Sequence, residues 1–179
     1  CVFETGTVPA ALAVLMFVDW IEANLRSPFV IVFSLSGYGV LMIIADRFGK
    51  RQRDISGVRI RDAFLIGVAQ ALALVPGTSR SGVTITAARF MGFERQDAAR
   101  FSFLLAVPVI LLATGYSLIG LLSSDQPVAW AQLATGVIVS AIVAYLSIEF
   151  FMRFVSRIGL LPFAIYRIIL AAVIVYVLI

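Results

Sequence analysis

The sequence predicts an all-α polytopic membrane protein, and three features carry that prediction. Of its 179 residues, 61% are hydrophobic and 13% charged, with a mean hydropathy of +1.05, well away from the composition of soluble globular domains. The apolar residues form runs of the length that crosses a bilayer as a helix, about 20 residues at ~1.5 Å each. Between the runs lies DRFGKRQRDISGVRIRD, with six basic and three acidic residues, the composition of a cytoplasmic loop.

The same composition excludes several chemistries. Histidine is absent, which removes imidazole metal ligands, histidine-centred triads and phosphohistidine intermediates from these residues. A single cysteine, Cys1, supports neither an internal disulfide nor a cysteine-rich metal site. The net charge of +4 comes mainly from the basic stretch, so it points to membrane topology and not to a nucleic-acid partner. With no initiator methionine and no signal-peptide pattern, the chain reads as a fragment lacking an N-terminal part.

Taken in order, the first apolar run covers about 8–21, with Pro9 close to its start, where proline suits a first helical turn. A second run, about 28–45, is long enough to span. Beyond the basic stretch the lengths change. Ala63–Val75 has 13 residues and Val83–Gly92 has ten, and between them stands PGTSRSG, residues 76–82. At ~1.5 Å per residue each half reaches roughly midway through a core of about 30 Å, so 63–92 is expected to form a re-entrant helical hairpin. Three full-length runs follow the polar FERQDAAR, at about 101–122, 128–151 and 160–179.

Loop charges test that hairpin. If 63–92 enters and leaves on one side, the basic stretch, Arg95 and Arg100, and Arg153 and Arg157 all face the cytoplasm, while the 122–127 loop with Asp125 faces out. A complete crossing by 63–92 would break that pattern. The whole of 1–179 is thus expected to be one integral membrane domain. By analogy with transporters, its hairpin would be half of an inverted repeat.

Backbone that leaves helical geometry at membrane depth must be buried in protein or line a watery cavity. The tip is therefore expected to be a site wall. Pro76 ends the first half-helix, Gly77 and Gly82 permit tight turns and close ligand approach, and either Ser79 or Ser81 can cap the second half-helix. Were Ser81 the cap, Thr84 would fall at the third helical position. The free N–H groups and positive dipole end of that helix make an anion site, to which Arg80 adds a planar guanidinium suited to phosphate. The competing reading, that Arg80 pairs with a carboxylate and the serines only cap helices, is disfavoured because an intramembrane arginine costs at least about 2.5 kcal/mol. Gln70, six residues before Pro76, stands within reach of the tip, with an interhelical hydrogen bond as its competing role.

GVAQALALVPGTSRSGVTITAARFMGF, ARFSFLLAVPVI, PFAIYRI and GTVPAAL together resemble the undecaprenyl-diphosphatase family, also called bacitracin-resistance proteins, along essentially the whole chain. The resemblance implies a membrane phosphatase that removes the terminal phosphate of undecaprenyl diphosphate, recycling the lipid carrier of peptidoglycan synthesis. It also implies a helical bundle with two re-entrant hairpins and a site open to the periplasm of the bacterial inner membrane. Ser79, Arg80, Ser81 and Thr84 match the family's second motif of phosphate-contacting residues, with Gly77 and Gly82 shaping the loop. Arg80 and Ser79 are the expected catalytic residues. The family's first motif, glutamate-rich and followed by paired serines and a histidine, is absent from these residues. A divalent cation, Mg²⁺ or Ca²⁺, is implied as cofactor, with ligands mostly outside this chain and none assigned within it.

The carboxylates of the chain are not well placed for a catalytic base. Asp19, Glu22 and Asp125 fall at outer ends or loops, Glu94 and Asp97 in a cytoplasmic loop, and Glu149 near the cytoplasmic end of its helix; Glu4 is left open. Tyr166 and Arg167 match the family's YR pair, and for Arg167 snorkelling to the cytoplasmic interface is favoured over substrate contact. The Phe-rich FSFLL and FFMRF are expected to pack or face lipid. A phosphatidic-acid-type phosphatase, which needs histidines beside its own Ser-Arg motif, is set aside because no histidine follows Ser79 and Arg80. A transporter or flippase of a lipid-linked anion remains the alternative from another class, since it too places broken helices at mid-membrane.

Overall fold

The structure is a computed structural model that describes residues 2–50, 52–123 and 129–178, without the side chains of 18, 19 and 22. It is all-α over the described residues. The helices are α1 Val2–Asn24, α2 Pro28–Phe48, α3 Ile60–Ala71, α4 Arg80–Phe90, α5 Arg95–Leu122, α6 Trp130–Ile158 and α7 Leu161–Leu178. Four of them, α2, α5, α6 and α7, are long and apolar enough to cross a membrane.

Helix boundaries depart from the sequence expectation at two arginine-bearing segments that were read as loop. Arg95–Arg100 form the opening turns of α5, and 152–158 extend α6 by two turns. The hydrogen-bond ladder continues where water replaces lipid, so polarity marks the interface and not the helix end. Pro9 lies inside α1 and not in its first turn. Proline is tolerated within membrane helices because neighbouring groups satisfy the freed carbonyls. The first half of the hairpin stops being α-helical at Ala71 and tightens into a 3₁₀ turn over Leu72–Leu74.

α1 packs against α3, and α2 against α7, while α4 sits between α2, α3 and α5. Two glycines explain the first contact. A Cβ on Gly67 would stand 2.2 Å from the Gly6 carbonyl oxygen, so the two backbones touch where side chains would hold them apart. The core between the hairpin and α5 is built from small and branched residues, Ala63, Ile66, Ile85, Ala88, Ala98 and Leu105, all buried. α6 stands apart, exposed along nearly all its length, as a lipid-facing helix is. Its contact with the rest includes edge-on packing of Phe103 against Phe151 and of Phe154 against Phe163, so the Phe-rich stretches pack.

Three loops meet at one end of the bundle. A single parallel bridge pairs Arg53 with Phe93, and the Glu94 N–H donates to the Arg53 carbonyl at 2.9 Å, tying the foot of α3 to the foot of α4. Arg53 also pairs with Asp62 and lies 4.3 Å over the Phe93 ring. Buried Asp46, at the end of α2, accepts from Arg95 at 2.6 and 2.8 Å and from the Leu160 N–H at 3.2 Å. Arg89, fully buried, donates to the Phe93, Asp46 and Gly49 carbonyls, so one cation ties the negative end of α2 to the loop that follows α4. At the far end of the hairpin, Gly77 is packed against Ile31 near the start of α2. The tip therefore lies about 22 Å up α2 from Asp46, given ~1.5 Å per residue.

Candidate functional site at the hairpin tip

Val75 leaves helical geometry, Gly77 turns with φ of 89°, and Ser79 follows with φ of 64°. Ser79 is the one non-glycine residue with positive φ among the described residues. A left-handed serine costs of order 1–3 kcal/mol and persists only where the surroundings enforce it, a kind of strain that clusters at functional sites. Two contacts enforce it here. The Thr78 hydroxyl donates to the Val75 carbonyl at 2.7 Å, and the Arg167 guanidinium donates to the Gly77 and Thr78 carbonyls at 2.7 and 2.8 Å.

Of the two candidate caps, the structure selects Ser79. Its hydroxyl accepts from the Gly82 N–H at 3.3 Å and its carbonyl from the Val83 N–H at 2.9 Å. The helix begins at Arg80, so Thr84 is its fifth residue and not its third. The N–H groups of Arg80 and Ser81 have no hydrogen-bond acceptor among the described residues, and the Ser79 and Ser81 side chains are exposed beside them. That is the donor array an anion requires.

The expected site residues divide between two sides of the tip. Gly77, Ser79, Ser81 and Gly82 line a cavity of about 400 Å³ together with Tyr166, Arg167 and the apolar side chains of Met42, Phe151 and Phe163. On the other side, Arg80 turns between α3 and α5. Its Nε and Nη2 donate to the Gln70 Oε1 at 3.1 and 2.9 Å, and Nη2 also reaches the Leu105 carbonyl at 3.1 Å. Thr84 is buried on the same side, where its hydroxyl shares a 2.6 Å hydrogen bond with Ser102 of α5.

Arg167 corrects an expectation. It does not snorkel. It is 7% exposed and bonded to the tip, because two unpaired carbonyls of a tight turn attract a buried guanidinium more strongly than a distant interface does. The tip's dependence on Arg167 and the Thr84–Ser102 pair were not legible in the sequence. The YR pair was the sole signal for the first, and nothing marked the second.

Carboxylates stand elsewhere. None lines the tip cavity, and none pairs with Arg80 among the described residues. Glu149 pairs with Arg153 on the exposed face of α6, consistent with an interfacial role. Asp125 and the side chains of Asp19 and Glu22 lie outside the described residues. Among the described residues no three Asp, Glu or Cys side chains gather as metal ligands, and no step below runs through a divalent cation.

Residues 2–173 match the family described as bacitracin resistance protein BacA. The chain belongs to that family. It is 49% identical to the undecaprenyl-diphosphatase of Nitrosococcus oceani over 96% of this chain and 64% of that protein. Similarity to the Thioalkalivibrio sulfidiphilus undecaprenyl-diphosphatase is also 49%, over 93% of the chain and 63% of that protein. The same identity holds to undecaprenyl-diphosphatase 2 of Stutzerimonas stutzeri, over 94% and 63%. The chain thus spans somewhat less than two thirds of the length of these BacA-family relatives.

Proposed function

We propose that the protein carrying this chain hydrolyses undecaprenyl diphosphate to the monophosphate and inorganic phosphate. This recycles the lipid carrier of peptidoglycan synthesis and confers bacitracin resistance. The reading places the protein in the bacterial inner membrane, with 63–92 as a re-entrant hairpin whose tip opens to the periplasm. The observation that carries it is the cationic tip itself. The start of α4 carries two N–H groups with no acceptor among the described residues, two exposed hydroxyls beside the tip cavity and, turned to the α3–α5 side, an arginine with no carboxylate partner among the described residues, in a chain whose relatives are named undecaprenyl-diphosphatases.

Each group has a task in phosphoanhydride hydrolysis. Water adds to the terminal phosphorus as the bridging oxygen leaves on the lipid phosphate, and negative charge shifts to that bridging oxygen. Arg80 stabilises the shifting charge, and the N–H groups of Arg80 and Ser81 hold non-bridging oxygens. The Ser79 and Ser81 hydroxyls donate to the same oxygens, while Gly77 and Gly82 keep the backbone close. Thr84 holds the α4 start against α5. The apolar side chains of the cavity suit the polyprenyl chain next to its headgroup. The general base is assigned to none of the described residues.

The test is phosphate release from a polyprenyl diphosphate by the full-length protein in detergent. Arg80→Ala should nearly abolish release. Undiminished release by that variant sinks the assignment. Movement of the diphosphate headgroup across vesicles without hydrolysis would instead support a flippase.

A further inference from the structure

Arg80 is held in an unusual way. Among the described ion pairs, Arg53 meets Asp62, Arg89 and Arg95 meet Asp46, and Arg153 meets Glu149, whereas Arg167 meets backbone carbonyls of the tip. Arg80 meets a neutral amide. Gln70, 4% exposed, gives its single carbonyl oxygen to both Nε and Nη2 of the guanidinium, at 3.1 and 2.9 Å. Two bonds on one acceptor, with a third to the Leu105 carbonyl, fix the guanidinium plane. Neither acceptor, the Gln70 amide oxygen or the Leu105 carbonyl, carries charge. The Gln70 Nε2 is buried and has no partner among the described residues, although an unmet buried donor costs about 1–3 kcal/mol.

We propose that Gln70 is the positioning residue of Arg80: its neutral amide orients the guanidinium while leaving the positive charge uncompensated for the anion, and its unpaired Nε2 donor is satisfied when an anion enters. The proposal rests on the diphosphate reading of the tip above. A carboxylate at position 70 would orient Arg80 equally well by geometry, but in a low-dielectric site it would form an ion pair with it and lower the field that draws phosphate. A neutral acceptor separates orientation from neutralisation.

That separation sets an unusual order among variants. Glutamate is isosteric with glutamine, whereas methionine keeps the length but loses every hydrogen bond. A purely structural role makes Gln70→Met the more damaging change; positioning by a neutral group makes Gln70→Glu the more damaging. In full-length protein, KM and kcat for phosphate release and the inhibition constant of inorganic pyrophosphate are measured for both, with thermal melting in the same detergent. Gln70→Glu should raise the pyrophosphate inhibition constant and KM about 100-fold, and Gln70→Met about 10-fold, the range set by losing a charge-assisted hydrogen bond. Equal effects, a milder Gln70→Glu, or two variants that behave as wild type would overturn the proposal. If Gln70→Met melts below assay temperature, a Gln70→Glu variant with unchanged pyrophosphate inhibition is enough to overturn it. Arg80→Ala separates the two levels: if that variant stays active the diphosphate reading fails, and if it is inactive while Gln70→Glu matches wild type, only the role of Gln70 falls.

Discussion

Arg167 of α7 donates through one nitrogen to the carbonyls of both Gly77 and Thr78, at 2.7 and 2.8 Å, from 90 and 89 residues further along the chain. The last helix thereby sets the path of the loop whose next residue is the strained Ser79. Arg167→Met should fold and lower phosphate release by about 100-fold, the scale expected when a catalytic loop shifts by about 1 Å. Arg167→Lys, which can donate to the same carbonyls, should recover part of the loss. Steady-state kinetics of the full-length variants check both, and a wild-type rate for Arg167→Met would remove Arg167 from the tip's support.

Ser79 carries two opposed contributions, a stabilising cap and a strained φ of 64°. Ser79→Ala keeps the strain and loses the cap, so it should destabilise by about 0.5–2 kcal/mol. Glycine loses the cap but relieves the strain, so Ser79→Gly should be more stable than Ser79→Ala. Melting temperatures in detergent give the order. Both should lose activity if the hydroxyl binds phosphate.

Gly67 should not tolerate a side chain. Its added Cβ meets Gly6 backbone at 2.2 Å, so Gly67→Ala must push α1 from α3 at a cost of about 1–3 kcal/mol. Gly37 of α2 has nothing within 4 Å of the corresponding point, and Gly37→Ala should be neutral or slightly stabilising. A Gly67→Ala melting temperature equal to wild type would contradict the α1–α3 contact.

The hairpin foot should weaken in acid. Burial raises the Asp62 pKa, but hydrogen bonds from Arg53 and the Arg59 N–H, with the charges of both arginines, outweigh it and hold the carboxyl below its ordinary value. A depressed folded-state pKa gives stability that is present above the unfolded value, about 3.9, and is lost as pH falls through the folded one. Amide exchange across 53–62 should therefore quicken as pH drops below about 4, after correction for intrinsic rates. Asp62→Asn should lose the Asp62 share of that dependence and keep that of Asp54, whose carboxyl is also held below its ordinary value by hydrogen bonds from Ser56 and the Gly57 N–H.

Much of the fold was legible because lipid imposes a simple rule: apolar runs become helices, and their lengths and flanking charges say how they lie. The three basic segments expected on one side do meet at one end, through Arg53 with Phe93 and Asp46 with Arg95 and Leu160. Helix ends were less legible, since 95–100 and 152–158, each carrying two arginines and read as loop, are helical. At the site, PGTSRSG identified the residues by type. It did not reveal that Ser79 and Ser81 face the cavity beside α7 while Arg80 and Thr84 face α3 and α5.

The sequence by itself determined the helical class, the interruption at 76–82 and the chemical character of that interruption. These depend on composition and local spacing, which need no partner. Only the tertiary structure decided which serine caps α4, where Arg167 goes and what holds Arg80. Each of those is a choice among acceptors supplied by residues distant in sequence. Gln70 and Arg80 are ten residues apart, Arg80 and Leu105 25, and Arg167 and Gly77 90. Such pairs form when packing removes the alternatives, and no local pattern records which alternatives packing will remove.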